Sequence, residues 1–401
     1  MFRRKYTNKA QLPDFPADLE KLGLFINDDD QIRQIENPEA PFEYFVYGRG
    51  TRMDGSGSRE KMNKRRKEAL DECIRRMTLE RLTSPPYSLE VQSLPAANVP
   101  HVDILTSPLK TLSKASKIMM IFPDQRSSSL GIFAFRVAVD ESIRMGNMQA
   151  FLDEISPMYD AIVIANPAAV WWDEKTQSAV TAETWNSLGL TAPSPGHILN
   201  ARNDVTIPGH ESPEDHVASV FSFVKAQLAG EEEVERKIDF IGVAYTAYCV
   251  LSHLAKPGEW EFWGPKLNSG VLAHSPHKLS EFPMNMEFRH FLNRRVRNYL
   301  SHGDPKGTFL ADSVDRGCAV FSSEVGWEPR IVPDCLGEIV NYFVRAQAIH
   351  VTLEEFEEEV GVAEPLNPVI MYMGDEPILP ADETTLQQVK EKELKQGWVG
   401  W

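Results

Sequence analysis

Lys237-Ile238-Asp239-Phe240-Ile241-Gly242-Val243-Ala244-Tyr245-Thr246-Ala247 is the stretch that decides how this chain is read. Lys237 to Ile241 form an apolar run of strand length, Gly242 to Ala247 a sharp turn of mostly small residues, and Tyr248 to Leu254 the start of a helix. Strand, tight turn and helix in that order make the context of a nucleophile elbow, G-x-S-x-G. Small residues on either side let the backbone turn and raise one side chain at the carboxyl edge of the sheet. The raised position here is Ala244. A methyl group cannot attack a carbonyl, so the motif predicts the shape of a catalytic site without its chemistry.

Outward from the elbow, the chain alternates short apolar runs with helical stretches, the pattern of a mainly parallel sheet with helices on both faces. Strands are expected at Val102 to Leu105, Lys117 to Phe122, Ala161 to Ala165, Lys237 to Ile241, Gly270 to Ala273, Val296 to Leu300 and Ala319 to Phe321. A helix is expected after Ser212, which can cap it, with Pro213 at the first helical position and Asp215 answering three residues on. The fold class is therefore α/β: an α/β-hydrolase-like, mainly parallel twisted sheet, wrapped by an N-terminal extension. The expected organisation is 1–58 wrapping extension, 59–99 amphipathic helix and linker, 100–350 α/β-hydrolase-like domain and 351–401 acidic tail. Lys64-Arg65-Arg66-Lys67 is read as a solvated helix face.

At 401 residues, 42% hydrophobic and 25% charged, the chain can bury a large core. Its net charge of −16 is uneven, because residues 351–401 hold twelve acidic and three basic residues. That balance argues against direct binding of nucleic acid, which needs a basic face. No run of 18 apolar residues exists and Met1 to Lys5 lacks a signal-peptide core, so no membrane association or secretion is expected. Cys73, Cys249, Cys318 and Cys335 lie far apart and are read as buried free thiols, with no metal site and no cofactor expected.

Phe15-Pro16 to Asp28, Gly131-Ile132-Phe133-Ala134-Phe135-Arg136 with Glu141-Ser142-Ile143, Ile207-Pro208-Gly209, Asp215-His216, Ile238 to Ala244 and Gly317-Cys318 resemble the Argonaute-binding-protein-two (Arb-two) domain family. The resemblance runs from about residue 12 to 347. In fungi that domain occurs alone, in a subunit of the Argonaute siRNA chaperone complex, and fused behind the catalytic domain of class II histone deacetylases. The resemblance implies an α/β-hydrolase-like fold acting in small-RNA silencing or heterochromatin. Its implied partners are Argonaute, siRNA-chaperone subunits, a histone deacetylase or histones, and its implied location is nucleus and cytoplasm. The departures are an elbow without serine and an acidic tail that does not match the family.

The other catalytic candidates are weak on chemical grounds. The elbow is degenerate across Gly242, Ala244, Tyr245 and Thr246. Tyr245 is nevertheless a binding candidate, its backbone N–H standing where an oxyanion donor stands, which would suit a carboxylate or peptide carbonyl. Ser275 in His274-Ser275-Pro276-His277 is the alternative nucleophile for a hydrolase of esters or small molecules. His302 and Asp304 fall near the expected place of a triad acid but read as turn residues. The last loop, Glu328 to Asp334, contains no histidine. Trp171, Trp172 and Trp263 are candidates for the wall of a crevice, and Trp398 and Trp401 for aromatic anchors at the end of the tail. The sum is a non-catalytic interaction module, with the displaced-nucleophile hydrolase and a histone-binding module as alternatives.

Overall fold

A computed structural model describes residues 15–44, 58–126, 129–189, 206–230 and 234–348, with two short strands at 371–373 and 376–378. Its centre is an eight-stranded sheet: β1 (Glu90–Leu94), β2 (Val102–Thr106), β3 (Lys117–Phe122), β4 (Ala161–Ile164), β5 (Lys237–Val243), β6 (Leu267–Ala273), β7 (Val296–Leu300) and β8 (Ala319–Ser322). The spatial order is β8-β7-β6-β5-β3-β4-β2-β1. From β4 to β8 every pairing is parallel, while β2 runs antiparallel to both β4 and β1. All seven expected strands lie in this sheet. The eighth, β1, comes from the segment read as linker. It is an edge strand with Glu90 and Val91 exposed, so it carries none of the apolar pattern that marks a buried strand.

The period of two along each strand divides the core. In β3, Ile118, Met120 and Phe122 join the core under the helices Pro213–Leu228 and Ala244–Leu254, whereas Met119 and Ile121 face the helix Leu336–Ala348. Both faces are covered, which is why β3 and β4 read as nearly continuous apolar runs. Ser212 caps its helix as its spacing suggests, its Oγ accepting from the Asp215 N–H at 3.2 Å.

The helix Ser58–Thr83 agrees with the amphipathic segment in extent, but its basic cluster is not a solvated face. Arg66 is only 7% exposed, donates to the Glu43 carbonyl and lies over the Phe42 ring. Lys67 pairs with Glu183 and lies over Phe135. The helix is packed on several sides because the hairpin Leu24–Ile26/Ile32–Gln34 joins its Leu70, Cys73 and Ile74 in a separate apolar cluster. Long cationic side chains there lay their stems along apolar neighbours.

Candidate functional site

The site is built at the carboxyl edge of the parallel strands, where an open α/β sheet places its crevice. β5 ends at Val243, and the next residue, Ala244, has φ 49°, while the helix starts at once. A left-handed backbone costs a residue with a Cβ about 1–2 kcal/mol. Gly242 is required for close approach, since a Cβ there would lie 2.8 Å from the Ala247 Cα. The sharp turn is thus present, and its apex carries a methyl group.

Around the apex the neighbouring loops supply a hydrogen-bonded chain of charged groups that the sequence did not single out. After β3, Asp124 is buried and accepts from Arg126 Nε at 3.0 Å and from the Arg126 backbone N–H at 3.1 Å. Arg126 Nη2 donates to Glu328 at 2.9 Å, and Glu328 lies 3.1 Å from Nε2 of His274, the first residue after β6. His274 Nδ1 accepts the Ser301 N–H, so Nε2 carries the proton that points at Glu328. Burial pushes the Asp124 carboxyl up and the His274 imidazole down, while Asp124 raises the Arg126 guanidinium. Glu328 follows β8, the place of a triad histidine. The residue there is a carboxylate, held by Arg126 and His274. One signal in the sequence marks all four residues: each follows the carboxyl end of a parallel strand.

Thr246 is fully enclosed, its Oγ1 accepting the Gln125 N–H at 3.1 Å, which ties the elbow helix to the Asp124 loop. The Tyr245 hydroxyl donates to Glu214 and its ring stacks on Tyr248. Cys249 is buried, its thiol pushed up to about 12 by burial, far from the thiolate a nucleophile needs.

Ser275 and His277 do meet, with 2.8 Å between Oγ and Nδ1, but both are fully enclosed. His277 Nε2 is directed at the Arg316 carbonyl rather than at a carboxylate, so the pair is part of the packing of this loop. His302 and Asp304 lie in an exposed turn, with the Asp304 N–H donating to His302 Nδ1. Trp263 lines no crevice. Its ring is fully buried in the core against Phe221, because its helix turns that face towards the sheet. Trp172 is buried beside His101, and Trp171 stacks on Trp185 with 5.6 Å between centroids. Trp398 and Trp401 lie outside the described residues.

A second polar feature was legible only as Asp215-His216. His210 and His216 are buried with 2.7 Å between their Nδ1 atoms, and His216 Nε2 accepts the Asn166 N–H at 2.9 Å. His216 is therefore neutral and donates from Nδ1 to His210. Burial holds His216 well below the ordinary imidazole value and lowers His210 to about 4. Among the described residues, no helix is long and apolar enough to cross a membrane and no group of three or more His, Cys, Asp or Glu side chains is placed to hold a metal.

Comparison with known proteins follows this geometry. No curated protein matches the chain. Among solved structures, a histone deacetylase from Saccharomyces cerevisiae aligns at 11% identity and a TM-score of 0.40, over 69% of this chain and 97% of that one. The histone deacetylase Clr3 aligns at 12% identity and 0.36, over 69% of this chain and 39% of its own. DphMB1 aligns at 12% and 0.30, over 69% and 91%. The Arb2 domain profile matches residues 15–306, well over half of the sequence. The chain belongs to the Arb2 domain family.

Proposed function

We propose that this protein is a non-catalytic, α/β-hydrolase-like interaction subunit of small-RNA silencing or histone-deacetylase assemblies. The observation that supports it best is Ala244 at the apex of the elbow, with φ 49° and no nucleophilic atom. A backbone conformation that glycine would adopt freely is held by alanine, so the turn is present with no nucleophilic atom at its apex. The family supplies the setting, since fold alone does not fix function. The proposed partners are an Argonaute, its chaperone subunits, a histone deacetylase or histones, and the proposed location is nucleus and cytoplasm.

A hydrolase acting through Ser275 is the second reading, favoured by the Ser275–His277 hydrogen bond. Full enclosure of both residues and the lack of a carboxylate on His277 count against it.

Affinity purification of the tagged full chain from its native cells, after nuclease treatment, tests the proposal beside a chain ending at residue 350. Mass spectrometry is expected to recover one of the named partners with both forms if the domain binds, and with the full chain alone if residues 351–401 bind. Recovery of none of them from either form would overturn it.

A further inference from the structure

Past the elbow, an aromatic row leads from the core to the surface. Tyr245, the residue after the apex, stacks on Tyr248 with 5.5 Å between ring centroids, and Tyr248 stacks on Phe282 at 6.0 Å. Phe282 is buried and anchors the row through an edge contact with Phe288, while both tyrosines are half-buried. The chain then leaves the core as Pro283-Met284-Asn285-Met286, with Met284 54% and Met286 41% exposed. At no more than about 3.6 Å per residue, Met284 stays within about 7 Å of Phe282. Two of the seven large apolar side chains exposed among the described residues therefore stand one residue apart at the end of this row.

The local sequence fixes this exposure. Asn285 Oδ1 accepts the Phe288 N–H at 3.2 Å and starts the helix Met286–Arg295. Phe288, Phe291 and Leu292 form the buried stripe of that helix, and Met286, two residues before Phe288, falls on its far side. The charge around the patch is acidic. Glu214 accepts from the Tyr245 hydroxyl, Glu281 from the Lys278 N–H at 2.8 Å and Glu287 from Trp260 Nε1 at 3.0 Å. These donors are neutral, so each hydrogen bond leaves the carboxylate charge in place. Within 278–288, Lys278 is the basic residue that stands against Glu281 and Glu287.

We infer that Tyr245, Tyr248, Met284 and Met286 form one docking surface for a basic amphipathic helix of a partner protein, an inference that rests on the interaction-subunit reading. The ring spacings of 5.5 and 6.0 Å match the separation of about 5–6 Å between side chains three or four residues apart on a helix. Successive apolar residues of a helical partner thus meet successive side chains of the row. Methionine thioethers adapt to the shape laid on them, and lysine or arginine flanking the apolar stripe of the partner meets Glu214, Glu281 and Glu287. The same carboxylates repel an acidic segment, residues 351–401 of this chain included.

Isothermal titration of the full chain tests this with three end-blocked peptides of about 18 residues, long enough to hold a helix when bound. One carries leucine and lysine in helical period, one the same composition scrambled out of period, and one leucine and glutamate in helical period. The first is expected to bind saturably, about tenfold tighter than either control. Met284→Ser/Met286→Ser alters exposed positions alone and should weaken that binding about tenfold. Glu287→Gln keeps an acceptor for Trp260 Nε1 and should lower both affinity and its salt dependence. No saturable binding, equal binding of the scrambled or glutamate peptide, or binding unchanged in both variants would overturn the inference. So would self-association of the full chain that the double methionine variant abolishes, because it would seat a second copy there. Partner recovery from native cells separates the two ideas: partners kept by Met284→Ser/Met286→Ser leave the interaction-subunit reading standing and overturn this surface, whereas partners lost with that variant support it.

Discussion

Asp239→Ala is expected to destabilise the domain by about 3–5 kcal/mol, a large share of the 5–15 kcal/mol that holds an ordinary domain together. Asp239 is the one charged side chain on the inner run of β5, and it is fully buried. It accepts from Ser269 Oγ at 2.5 Å, Asn268 Nδ2 at 2.9 Å, the Tyr159 hydroxyl at 2.8 Å and Gln347 Nε2. These donors come from β6, from the loop before β4 and from the helix Leu336–Ala348. One carboxyl therefore fastens a helix to two strands. Removing it strands four buried donors, each worth on the order of 1–3 kcal/mol when left unpaired, though not additively. Tyr159→Phe removes a single donor and should cost about 1 kcal/mol. Urea unfolding of both variants checks the pair of values. A loss in Asp239→Ala no larger than in Tyr159→Phe would show that the network does not hold the fold.

Lowering the pH from 7 to 5 is expected to destabilise the domain by several kcal/mol. His210, His216, His253 and His277 are all buried, and burial is the first cause of lowering in each. His210, His253 and His277 fall to about 4, and His216 lies well below its ordinary value. In the unfolded chain they titrate near 6.5. A group whose folded pKa is depressed contributes stability above its unfolded pKa and loses it as the pH falls towards the folded one. The loss approaches about 1.4 kcal/mol per pH unit for each such histidine. Asp124 and Asp239 act in the opposite sense, because burial raises both carboxyls, but two carboxyls oppose four imidazoles. Urea midpoints at pH 7 and pH 5 measure the balance. A midpoint unchanged or higher at pH 5 would contradict it.

The sheet was legible wherever both faces are buried. The seven expected strands carry enough apolar residues to stand out in the sequence, and β1 does not, since Glu90 and Val91 are exposed and only Leu94 is buried. The elbow was legible because glycine and small residues there answer a local backbone need, visible in Gly242 and Ala244. The chain Asp124–Arg126–Glu328–His274 was not, because it joins residues from three loops, and nothing in their own neighbourhoods says that they meet. The same holds for Trp263: a tryptophan after a helix start reads as crevice wall or, more readily, as core, and the helix's rotation decides for the core. Ser275 was read as an alternative nucleophile from its neighbouring histidines, and the loop does bring it to His277, but in a place closed to solvent.

The central claim is a hydrolase scaffold without a working nucleophile. The most direct test is intact-mass analysis of the folded full chain after exposure to a serine-directed fluorophosphonate, beside Ser275→Ala. Ala244 offers no hydroxyl and Ser275 is enclosed, so the expected result is no stoichiometric adduct on either protein. One adduct per chain, absent from Ser275→Ala, would establish a reactive serine and contradict the account.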